Sequence, residues 1–181
     1  LNRAYALDNR YRVAHHGAEL LPPHLGVLEG RTIEAGVILE ERGLVITAFP
    51  VNHAPIAPAV GYRFDYGGRS VVVTGDTIVT EGLEAAATDA DLLLSDGLST
   101  SIVQAMETAA RENGQPRRAK IFHDIQDYHA SIHSMVEMAE RAGVRRLAFY
   151  HLVPSPANPI MERIWRRDLP GDVVLTDDHM T

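Results

Sequence analysis

At Asp76 the chain changes rhythm, and that change limits its architecture more than any other property of the sequence. Before it, short β-rich runs are joined by tight turns; after it, helical and strand-like segments alternate. Residues 32–39 and 44–49 read as two strands around Glu40-Glu41-Arg42-Gly43, whose Arg-Gly end is turn chemistry. Residues 61–66 and 69–74 form a second predicted hairpin, in which Gly67-Gly68 supplies the positive φ angles of a tight turn. Beyond Asp76 the pattern predicts a helix at 81–90, a short buried strand at 91–94 and a helix at 99–113 ending near Gly114. Ile132, Met135, Val136, Ala139 and Ala142 then recur at helical spacing behind an N-cap at Ser131, with Gly143 where a C′ glycine belongs. A strand at 144–150, a short helix at 161–167 and a last strand at 172–176 complete an α/β (α+β) chain. At the other end, residues 4–13 are helix-like and Pro22-Pro23 is a break.

With 181 residues, 45% hydrophobic and 23% charged, the chain has apolar material for one sizeable core. Its apolar runs fall far short of the roughly 20 residues a membrane helix needs, and no basic-then-apolar leader opens it. The first residue is Leu1, not Met, so an upstream segment is expected, and with it any targeting signal; the compartment stays open. Zero Cys excludes thiolate ligands, leaving His and carboxylates for any metal. A formal charge of −7 argues against a broad basic nucleic-acid footprint, although a local metal centre still attracts phosphate.

Three places share one grammar: a β-run ends, and a metal-capable side chain follows at once. They are Val51-Asn52-His53, Val73-Thr74-Gly75-Asp76-Thr77 and Ala148-Phe149-Tyr150-His151. Strand ends hold side chains on a rigid scaffold while leaving them open to a cleft. A fourth element, Asp127-Tyr128-His129-Ala130-Ser131, precedes a helix. Singly, each has an ordinary alternative: His53 a turn histidine, Asp76 a cap for the next helix, His151 a strand-end histidine bonded to backbone.

Together they resemble the second half of ribonuclease Z-like hydrolases of the metallo-β-lactamase superfamily. Phe49-Pro50-Val51-Asn52-His53 followed by Gly61-Tyr62-Arg63 is similar to that family's third metal-binding histidine and its GYR strand. Thr74-Gly75-Asp76-Thr77 resembles its SGDT segment, whose Asp bridges two metals. Asp91-Leu92-Leu93-Leu94-Ser95-Asp96 is similar to the segment carrying a His-Glu pair, His129 to the histidine of an HST motif, and His151 to the last ligand. The resemblance runs over residues 32–181, with 1–31 loosely placed.

The sequence also departs from the family. The H-x-H-x-D-H segment is absent; Ala14-His15-His16-Gly17 has neither its spacing nor its Asp and reads as a surface or loop feature. Ser95-Asp96 stands for His-Glu, and His129-Ala130-Ser131 for His-Ser-Thr. The resemblance therefore implies that residues 1–181 are the C-terminal portion of one αββα sandwich domain whose N-terminal portion is missing.

The implied chemistry is that of a metal-dependent phosphodiesterase. Two divalent ions, zinc or else manganese or iron, would lie about 3.5–4 Å apart and share an activated hydroxide and Asp76. His53 would hold one ion and His151 the other, while His129, oriented by Asp96, would steady the phosphate or protonate the leaving oxygen. The implied partners are a small-molecule or nucleic-acid phosphoester, the chain's own N-terminal half and a second copy in a homodimer, with no membrane. Sulfate-ester or lactone hydrolysis on the same fold, and a non-catalytic module keeping a degenerate half-site, are the competing functions. His24, His123, His133 and His179 are assigned no function, and Arg145-Arg146 and Arg166-Arg167 read as solvated faces.

Overall fold

A computed structural model of the chain describes residues 2–19, 30–167 and 169–177, in two compact units, Leu1–Ile33 and Glu34–Thr181. In the first unit, α1 (Asn2–His16) carries an Asp8–Arg12 ion pair at 2.8 Å one turn apart, and Tyr11 stacks on His15. His15 and His16 end this helix, exposed, as expected of a surface feature. Pro22-Pro23, His24 and His179 lie outside the described residues.

The second unit is built on one seven-stranded sheet in which sequence order and spatial order coincide: β1 (Gly36–Glu41), β2 (Leu44–His53), β3 (Ile56–Tyr66), β4 (Arg69–Val73), β5 (Leu92–Leu98), β6 (Leu147–Val153) and β7 (Val174–Leu175). Strands β1 to β4 pair antiparallel and β4 to β7 pair parallel. The reason is connection length: a few residues permit only a hairpin, whereas the crossovers after β4 each include a helix. The helices are α2 (Glu81–Ala87), α3 (Thr100–Glu112), α4 (Pro116–Asp124), α5 (Ile132–Arg141) and α6 (Pro159–Arg167). Several boundaries differ from expectation. The first strand begins at Gly36, not at residue 32, the strand expected at 91–94 continues to Leu98, and the last strand shrinks to Val174–Leu175. His123 lies on α4, which starts with proline at its first position and has too few apolar residues to announce itself.

One face of the sheet carries the core, where Phe49, Val72, Leu93, Leu147 and Phe149 meet Leu83 of α2, Met135 and Met138 of α5 and Trp165 of α6. Helix α5 forms as its sequence dictates: Ser131 accepts the Ser134 N–H at 3.0 Å, and Gly143 takes φ +70° just past the end. The other face is apolar and only half covered. Registers Ile46–Phe64–Val71–Leu92 and Tyr62–Val73–Leu94 run across it, and all seven side chains are partly exposed. Among its described residues this second unit thus packs helices against one face of its sheet.

Asp91, at the start of β5, ties the sheet's lower edge together. Its carboxylate accepts the Ser70 N–H at 2.9 Å and pairs with Arg69 at 2.9 Å and Arg145 at 2.8 Å. The Ser70 hydrogen bond first, then Arg69 and Arg145, hold its pKa below the usual value against partial burial. A depressed folded-state pKa stabilises the native state above the unfolded pKa, and that stabilisation is lost as pH falls through the folded value. Denaturant titrations of wild type and Asp91→Asn should differ at pH 7, and the gap should close as pH drops through and below about 3.9. A gap that is the same at both ends of the range would remove Asp91 from the acid response.

Candidate functional site

The pairing directions decide where the site forms. Strand β2 is antiparallel to β3 and β3 to β4, so β2 runs the same way as β4, β5 and β6. The C-terminal ends of all four therefore lie along one edge of the sheet, the edge where open α/β sheets bind ligands. His53 ends β2, Asp76 follows β4, Asp96 sits inside β5 and His151 lies in β6. Residues 20 to 98 apart in the sequence arrive at one place because strand direction, not chain distance, sets their separation.

The Asp76 turn is rigidly held. Gly75 adopts φ +68°, and a Cβ there would lie 3.2 Å from the Val60 carbonyl oxygen, so the turn is reserved for glycine. Thr77 is fully buried and works as a knot. Its Oγ accepts the Asn52 N–H at 3.1 Å and donates to the Ile78 carbonyl at 2.7 Å; its carbonyl accepts the Ala130 N–H at 2.7 Å. Thr77 N–H points to the Asp96 carboxylate at 3.4 Å. One residue thus joins the end of β2, the middle of β5 and the segment carrying His129. Asp76 does not cap the next helix: Thr80 does, accepting the Leu83 N–H at 3.1 Å.

Asp76, His129 and His151 each present a ligand atom, and these atoms lie within 4.8 Å of one another. His151 Nε2 is 4.0 Å from Asp76 Oδ2, and the His129 and His151 rings stack at 5.4 Å with 16° between planes. His129 is buried and its Nδ1–H donates to the fully buried Asp96 carboxylate at 2.7 Å. That bond fixes the tautomer and leaves Nε2 with its lone pair, the form that binds a metal or a substrate proton. Burial pushes the Asp96 carboxyl above its ordinary value; the bond to His129 opposes this, and the nearby Asp76 charge adds to it. Tyr150 is raised as well, by burial and by the charges of Asp76 and Asp96.

His53 stands next to this trio and outside it. Its ring lies 5.3 Å from that of His129, and its Nδ1 is 2.9 Å from the Tyr128 carbonyl, which can only accept, so Nδ1 carries the proton and Nε2 is again free. The ring meets Tyr128 edge-on at 5.0 Å. The resemblance implied His53, Asp76 and His151 as metal ligands and His129 as substrate-facing; the structure groups Asp76, His129 and His151 and sets the His53 ring against that of His129. This donor set of imidazole nitrogen and carboxylate oxygen, with tautomers set by a carboxylate and a carbonyl, fits a divalent ion with bonds of roughly 2.0–2.2 Å.

The sequence missed Thr77 and Tyr128 as supports. Thr77 acts through an ordinary-looking hydroxyl, and Tyr128 orients His53 through its backbone carbonyl, which leaves no side-chain signature. His133 is exposed on α5, whereas His129 precedes that helix, so the two form no pair on one helical face. Arg145 and Arg166 are exposed and pair with Asp91 and Glu162, as expected of solvated faces. No described helix is long and apolar enough to cross a membrane.

Comparisons with known proteins agree with this geometry. The chain is 35% identical over 175 residues to the ribonuclease Z of Mycobacterium avium, covering 94% of this chain and 57% of that protein. Over 164 residues it is 34% identical to the ribonuclease Z of Mycobacterium tuberculosis (H37Rv), covering 91% of this chain and 55% of the relative. The chain thus spans a little over half the length of these curated relatives. Among solved structures, the metallo-beta-lactamase fold protein YhfI from Bacillus subtilis superimposes with a TM-score of 0.56 at 18% identity, covering 84% of this chain and 54% of that one. The short form of human tRNase Z gives 0.51 at 17% identity over 80% and 44%, and Zn(2+)-bound PqqB from Methylobacterium extorquens 0.54 at 18% over 90% and 55%. These likenesses establish a shared fold. The family described as beta-lactamase superfamily domain matches residues 9–152, most of the chain, and the chain belongs to that superfamily.

Proposed function

We propose that the complete protein is a metal-dependent hydrolase of phosphodiester bonds and that this chain carries one side of its site. The observation that supports it most is the convergence of Asp76, His129 and His151 at one sheet edge, with Asp96 fixing the His129 tautomer. The relatives named ribonuclease Z point to the same chemistry. Asp76 and His151, joined by His53, would hold two divalent ions, zinc foremost. When bound, such ions supply Lewis acidity and lower the pKa of coordinated water.

The remaining roles belong to the chain's own side chains. Asp96 accepts from His129 Nδ1 and so keeps Nε2 directed at the reacting group. His129 Nε2, once it has taken up a proton, would contact a phosphate oxygen or pass that proton to the leaving oxygen. The Tyr128 carbonyl holds His53 in the matching tautomer. Three to four donors do not close two metal shells, and within its own unit the apolar second face of the sheet is only half covered. Both features support a domain completed by further residues, the N-terminal half of an αββα sandwich.

The test is made on the full-length protein. Metal analysis should find bound divalent ion, and a chromogenic phosphodiester should be turned over in preference to a sulfate ester or a lactone. Preferred hydrolysis of either of the latter would move the reaction to another bond, and failure to bind metal would favour a non-catalytic module.

A further inference from the structure

Beside His53 the structure opens a second space. A cleft of about 500 Å³ separates the turn after β2 from α4, sharing His53 and Tyr128 with the site. Such a volume takes one or two rings of a small ligand. One wall is apolar: Ala54, Pro55 and Ile56, the last 61% exposed. The other carries Lys120, Asp124 and Asp127. Lys120 does not offer a free positive charge, because its Nζ contacts both oxygens of Asp124 at 2.9 and 2.8 Å. Asp127 adds a second carboxylate, so one cation against two anions leaves the wall at −1.

A second phosphate in this cleft would meet a paired lysine and an excess of negative charge, whereas an uncharged arm would cover Ile56 and the Tyr128 ring at no electrostatic cost. We propose that the cleft is a subsite for a compact, uncharged organic arm, aryl before alkyl, of a phosphodiester whose phosphate is bound at the adjoining Asp76–His129–His151 site. This rests on the hydrolase reading above. It makes the preferred substrate a small diester with one apolar arm, and makes a polyanionic strand that continues past His53 unfavourable.

Binding and turnover separate the two readings. Calorimetry on the metal-loaded full-length protein compares phenylphosphonate with methylphosphonate, and kinetics compares phenyl 4-nitrophenyl phosphate with methyl 4-nitrophenyl phosphate. The phenyl compound should bind about ten-fold tighter, the scale of burying part of one ring. Its diester should show the lower KM at similar kcat. Ile56→Ser, at an exposed position whose thermal midpoint should not change, should remove most of that preference and leave methylphosphonate affinity as it was. Equal affinities, no binding of either phosphonate, or a preference that survives in Ile56→Ser would overturn the subsite. Phenyl preference in binding without hydrolysis of either diester would overturn the hydrolase reading and leave the subsite standing.

Discussion

Asp76→Ala in the full-length protein should abolish phosphodiester hydrolysis and lower the bound metal. The side chain follows β4 at the common edge of β2, β4, β5 and β6, and its oxygen is the one anionic donor in the trio with His129 and His151. A residue with a purely structural use would cap a helix or tie down the turn, and here Thr80 caps α2 while Thr77 ties the turn. Removing Asp76 should therefore spare the fold and strike the ions. The loss should exceed the roughly 10–100-fold that removing an outer partner of a metal ligand costs. Elemental analysis beside kinetics decides it: unchanged stoichiometry and turnover would make Asp76 a residue of the turn alone.

The second large effect is expected at His129. His129→Ala should cut kcat by about 10²–10⁴, the scale of losing a general acid, with metal content near that of wild type. The structure sharpens the contrast, since His129 is both bonded to Asp96 and within 4.8 Å of the Asp76 and His151 donors. Loss of metal in this variant would place His129 among the ligands. Asp96→Asn is a useful companion: it keeps a partner for Nδ1 while discarding the charge, so it should reduce kcat by less than His129→Ala. Equal losses would indicate that the carboxylate charge, beyond orientation, carries the effect of the pair.

The local parts were legible in the residues alone. Period-two patterning and paired glycines gave the Gly67-Gly68 hairpin, and Ser131 and Gly143 bounded α5 closely because capping depends on residues a few positions apart. The strand-end grammar picked out His53, Asp76 and His151, since a metal-capable side chain after an apolar run needs no knowledge of the rest of the chain. Helix α4 and the short β7 were less legible, because neither has an apolar stripe long enough to register.

How those parts meet depends on long-range packing. Parallel pairing of β4, β5 and β6 is a long-range event, and it alone brings Asp76, Asp96 and His151 to one edge. The grouping of His129 with the Asp76–His151 pair came from the loop that Thr77 and Leu98 anchor through backbone hydrogen bonds to Ala130. Backbone donors and acceptors are the same in every residue type, so their use as scaffold leaves no mark in the sequence. Tautomer and burial, which decide what a histidine can do, are likewise properties of the packed site: Asp96 became His129's partner because folding buried both across 33 residues of chain.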